Sequence, residues 1–159
     1  MTITIAIDSQ IIHNLDLSPA QKVIAGLPQR EKLAAFFGQL SFTIDYPREA
    51  TDPRELSEIP EIRLWFLRLD AHYPWLPLLL DGQSGELYRY TAMLVPHQFS
   101  RAEGIQYNPE ALEIFVMQKI FVITSWLQQQ EISAQSRLKL FSQALGYDID
   151  DDFFELVGK

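Results

Sequence analysis

Three histidines, His13, His72 and His97, are the side chains of this sequence best suited to moving a proton near neutral pH. None is spaced for a metal, which asks for two or three converging ligands, often at i and i+4 of one helix. His72 follows Asp70 by two residues, which on an extended strand places both on one face without making a triad. His97 differs, because Val95-Pro96-His97-Gln98 follows an apolar run at an expected strand end, where loops tend to carry function. It could bind or position a partner together with Gln98, or exchange a proton with a nearby carboxylate. No Gly-x-Ser-x-Gly surrounds Ser84, and the seven glycines form no dinucleotide or phosphate loop. Asp148, Asp150, Asp151 and Asp152 suggest the start of a calcium loop. A loop begun at Asp148, however, has Phe153 in place of the glycine and Lys159 in place of the glutamate. Helix capping and a solvated acidic end account for them.

Aromatic residues offer a second kind of chemistry, recognition. Trp65, Phe66, Tyr73, Trp75, Tyr88 and Tyr90 fall within 26 residues, interleaved with Arg63, Arg68 and Arg89. Arginine and large aromatics are enriched at protein interfaces. The expected partner-binding residues are therefore Arg63, Trp65, Trp75, Arg89, His97 and Gln98. Internal ion pairing of Arg68 or Arg89 with a carboxylate explains the arginines equally well. An apolar pocket around Trp75 and Tyr88, taking a small ligand, is a further alternative.

The elements that must position these residues follow from pattern and composition. The chain has 159 residues, 47% of them hydrophobic, enough for one domain with a sizeable core. A net charge of −8 makes nucleic acid and anionic membrane poor partners. The absence of cysteine excludes disulfides, a catalytic thiol and a thiolate-held iron–sulfur cluster within the chain. Ile3, Ile5 and Ile7 alternate with Thr2, Thr4 and Ala6, the pattern of a half-buried strand and not of a signal peptide. Ala111 to Leu127 holds twelve apolar residues of seventeen but is broken by Glu113, Gln118 and Lys119; it reads as a core helix, not a membrane span.

Strands are expected over 2–8, 41–46, 62–70, 78–80 and 87–95, the last three as an antiparallel meander with a turn at Asp81–Gly85. Helices are expected after Ser18-Pro19, over Gln29 to Phe37, from Asn108-Pro109-Glu110 to about Gln130, over Ser133 to Leu145, and after Asp150. Pro47 to Pro60, with three prolines and six charged residues, reads as an exposed connection, and Pro96 to Gly104 as a loop. The expected fold is a single α+β domain over 1–159. Its mainly antiparallel sheet is covered by helices, and the long helix near Asn108 is its most buried element.

Three long strings carry a resemblance: IRLWFLRLDAHYPWLPLLLD from Ile62, GELYRYTAMLVPHQFS, and GIQYNPEALEIFVMQKIFVITSWL. Together with LGYDIDDDFFELV they resemble the chlororespiratory reduction 6 protein family over about residues 61–157. The resemblance implies an assembly or maturation factor, not an enzyme, for the NAD(P)H dehydrogenase-like complex of photosynthetic membranes. Its implied partner is the peripheral iron–sulfur subunit I of that complex. It implies no catalytic residue, cofactor or metal, and no direct membrane insertion. Its implied setting is the cytoplasm of a cyanobacterium, or the stroma in a plant.

Overall fold

The alternating isoleucines do form a strand, β1 (Ile3–Asp8), with Ile5 and Ile7 buried. Residues 3–27, 30–81 and 85–158 are described by the computed structural model. Strand β2 (Leu40–Asp45) matches the second expected strand and lies parallel to β1, from Ile3 opposite Leu40 to Asp8 opposite Asp45. A parallel pair needs a long crossover. Residues 9–39 supply it, with α1 (Ser9–His13), α2 (Ser18–Ala25) and a 3₁₀ segment, Arg30–Phe36. The Asp8 carboxylate starts α1 by accepting the Ile11 N–H at 2.9 Å. Ser18 is not the cap of α2; Leu17 holds that position, and the Asp16 carboxylate accepts the Ser18 N–H at 2.9 Å. Gly38, at φ +76°, then turns the chain into β2.

Residues 62–70 and 87–95 are helices, not strands. They belong to α3 (Pro60–His72) and α4 (Glu86–Leu94). Burial in α3 falls on Ile62, Trp65, Phe66 and Leu69, the i, i+3, i+4, i+7 stripe of a helix. Leu64 and Leu67 lie exposed on the other side, so the stretch looks uniformly apolar in sequence, as a buried strand does. Leu87, Tyr90 and Thr91 give α4 the same spacing. Leu78 and Leu79 lie in a 3₁₀ segment (Leu76–Leu79), and Leu80 keeps a trace of strand character by bridging Leu40. The expected turn lies mostly outside the described residues; Gly85, at φ +79°, leads into α4.

Among the described residues the expected antiparallel sheet is instead two separate pairs, β1–β2 and a hairpin in the segment read as a loop. That hairpin is β3 (His97–Ser100) antiparallel to β4 (Gly104–Tyr107). The α+β class holds. Helix α5 (Pro109–Gln129) begins as predicted, with the Asn108 side chain accepting the Ala111 N–H at 3.0 Å. Helices α6 (Gln135–Ala144) and α7 (Asp151–Val157) follow, and Asp150 stands at the cap position of α7 without a side-chain hydrogen bond.

Helix α5 is not the most buried element. It buries one stripe, including Leu112, Phe115, Val116, Ile120 and Ile123, and leaves Ile114 70% and Phe121 54% exposed. The Leu76–Leu79 segment, by contrast, is buried throughout. At the centre of the core, Phe42, Trp65, Phe66 and Tyr90 pack ring on ring, with centroids 5.0–6.2 Å apart. Among the described residues no helix is long and apolar enough to cross a membrane.

Candidate functional site

Arg63 of α3 and His97 of β3 meet over Ser57, in the 3₁₀ turn Leu56–Glu58. Arg63 Nη1 donates to the carbonyls of Ser57 and Ala92, both at 3.0 Å, which uses both protons of that nitrogen. The imidazole Nδ1 therefore donates to the Val95 carbonyl at 3.0 Å, although Arg63 Nη1 is only 3.2 Å away. Nε2 then accepts from the buried Ser57 hydroxyl at 2.9 Å. Burial pushes the Arg63 guanidinium down from its usual range. The alternative pairing of His97 with a carboxylate is not found among the described residues; its neighbours are a hydroxyl, a carbonyl and a guanidinium. Nε2 thereby ties β3 to the turn, and Arg63 ties α3 to it. Gln98 is exposed on β3, opposite Gln106.

The same turn leads to an open cleft. Glu55 caps it, accepting the Ser57 N–H, while Glu58 returns a bond from the Glu55 N–H at 2.8 Å. Arg89 of α4 approaches that Glu55 carboxylate at 3.3 Å, so the internal ion pair foreseen for Arg89 is present. Around it lies a cleft of about 310 Å³ lined by Arg48, Arg54, Arg89, Arg101, Asp52 and Phe99, among others. Arg54 grips Asp52 with Nε and Nη2 at 2.9–3.2 Å, and these hydrogen bonds hold the Asp52 carboxyl down at about 2.

The aromatic residues divide between other places. Trp65 is wholly buried and donates its indole N–H to the Asp16 carbonyl at 2.9 Å, so it offers a partner no surface. Trp75 is half-buried and stacks flat on Trp126 of α5, with centroids 4.3 Å apart and planes 6° apart. Phe121 and Val122 extend that face into a shallow groove, and Phe121 reaches Phe153 of α7 at 6.3 Å. Tyr88 instead packs on Tyr107 of the hairpin at 4.8 Å and donates to the Ile105 carbonyl at 2.9 Å. The alternative of a pocket around Trp75 and Tyr88 thus gives way to two separate contacts, and the interleaved aromatic–arginine patch to an arginine cleft and a tryptophan face.

One charged centre escaped the sequence reading. Lys119 of α5, 2% exposed, donates to Asp70 of α3 at 2.6 Å and to the Pro74 carbonyl at 3.0 Å. Tyr90 donates to the other oxygen of Asp70 at 3.1 Å. Burial pushes Asp70 up and Lys119 down, and their mutual attraction opposes both shifts. A lone lysine inside an apolar helix run was the available signal. Among the described residues no group of three or more His, Asp or Glu is placed to hold a metal ion.

Fold and surface together define a small α+β protein with an open arginine cleft and a separate tryptophan face. The chain belongs to the chlororespiratory reduction 6 family, which it matches over residues 7–156. The match takes in most of the first sixty residues, for which the sequence strings gave no resemblance. Membership ties the chain to chlororespiration and the NAD(P)H dehydrogenase-like complex. No solved structure matches it.

Proposed function

We propose that this protein is a non-catalytic assembly factor that binds an immature peripheral iron–sulfur subunit of the photosynthetic NAD(P)H dehydrogenase-like complex. The observation that carries the reading is the family match over residues 7–156. The geometry around His97 supports it, because both ring nitrogens are committed to hydrogen bonds within the fold. A chain without cysteine holds no cluster by thiolate, so its part is to shield or position the subunit. Trp75, Arg89 and Gln98, each at least partly exposed, are the contacts retained from the sequence expectation. The net charge of −8 steers a basic segment of the client toward the protein. The factor acts in the cytoplasm or stroma, on the peripheral arm.

Affinity capture of the tagged full chain from a photosynthetic extract, followed by mass spectrometry, tests this. The expected result is the iron–sulfur subunit without the other subunits of the mature complex, with recovery reduced by Trp75→Ala. Absence of that subunit across mild salt and several growth conditions overturns the reading.

A further inference from the structure

We propose that the arginine cleft is a binding site for an acidic peptide segment, whose carboxylates seat on Arg48 and Arg101. The proposal rests on the reading of this chain as a factor that binds a protein client. Four of the chain's eight arginines line this one cleft, in a protein whose net charge is −8. Four guanidiniums there face two carboxylates. Arg54 is taken by Asp52 and Arg89 by Glu55. Arg48 donates to the backbone carbonyl of Arg54, and the ion pairs of the two acids go to Arg54 and Arg89, not to Arg101. Glu55 is further engaged in capping the turn. The cleft thus carries an excess of two positive charges on exposed side chains.

Guanidinium forks match a planar two-oxygen anion. The groups that already satisfy the cleft are carboxylates, carried on the irregular stretch Asp52-Pro53-Arg54-Glu55. An incoming acidic segment repeats that chemistry at the two arginines left over. Phe99, Leu56 and Pro53 line the same cleft and give the methylene stems of glutamate an apolar surface. The Arg54 and Arg89 side chains that carry the internal pairs are themselves about half exposed.

Fluorescence anisotropy of a short labelled peptide of alternating glutamate and glycine, titrated with the full chain, tests the site. The acidic peptide is expected to bind, and a lysine–glycine control is not. Affinity should fall about five- to tenfold in Arg48→Ala/Arg101→Ala, and weaken as salt is raised. Arg48→Lys/Arg101→Lys should recover part of the loss. Equal binding by wild type and the alanine double variant overturns the proposal. So does displacement of the peptide by an equal concentration of inorganic phosphate, which would make this a phosphate site. If the peptide fails while wild type still captures the iron–sulfur subunit, the cleft proposal falls and the client reading stands. Arginine-dependent peptide binding without capture of that subunit keeps the cleft and removes the client reading.

Discussion

Around Asp70, one carboxylate meets one ammonium and one phenol, and helices α3, α4 and α5 close over them. In the arginine cleft, two carboxylates meet four guanidiniums, and the site stays open. The groups are of the same kind, and what differs is stoichiometry and cover. The first cluster is complete, because each oxygen of Asp70 has a donor and Lys119 has the Pro74 carbonyl as well. Burial makes completeness necessary there, since an unpaired charge in a low dielectric is costly. Water makes it unnecessary in the cleft, where surplus arginines persist at little cost. A charged cluster therefore reveals its role by whether its charges are balanced.

The sharpest way to break this comparison is Lys119→Ala. It leaves Asp70 mostly covered and short of its cation, and should cost about 3 kcal/mol of stability in urea unfolding. The cost should shrink as pH falls. Burial raises the Asp70 value in the folded state, so the folded protein takes up a proton before the unfolded chain does. Stability then rises relative to neutral pH as acid carries the group below that raised value. A loss under 1 kcal/mol, independent of pH, would show that the cluster is not buried in the sense argued.

Next in size comes His97→Ala, which leaves the buried Ser57 hydroxyl without its acceptor and should cost about 1–2 kcal/mol in thermal unfolding. An effect near zero would place the Ser57–His97 contact with the solvated pairs. Smaller again is Arg54→Ala. Its readout is the Asp52 carboxyl in a nuclear magnetic resonance titration, moving from about 2 back toward 3.8. With the Asp52 value depressed in the folded state, its contribution is present above 3.8 and is lost as pH falls through about 2. The smallest effect is that of Arg48→Ala/Arg101→Ala, within about 0.5 kcal/mol of wild type. A larger loss would mean that these arginines hold the fold and are not surplus.

Punctuation and capping were legible in the sequence. Asn108-Pro109-Glu110 placed the start of α5 and alternating isoleucines placed β1, because both signals are local. Residues 62–70 and 87–95 misled, because leucines on the solvent side of α3 and aromatics on α4 masked the 3.6-residue period. In the site, interleaving along the sequence groups Trp65 and Trp75 with the arginines, and the structure separates them. Helix geometry turns Trp65 inward, and Trp75, beyond the end of α3, packs on Trp126 of α5. Arg48, Arg54 and Arg101 were not legible as a cluster, because their convergence depends on how an irregular segment meets a hairpin far along the chain. Lys119 was legible in principle, as a charge in an apolar run, but its partner was not.

The parallel pairing of β1 with β2 bears on the order in which the chain can fold. Closing the loop of residues 9–39 costs about 3 kcal/mol of chain entropy before any ladder bond forms. A two-stranded pair is marginal by itself. What offsets the cost is the far side of β2, where Phe42 packs on Trp65, Phe66 and Tyr90. The amino-terminal strand is therefore secured by residues made long after it. On a ribosome, the first sixty residues must wait for Tyr90 to emerge before their sheet can hold.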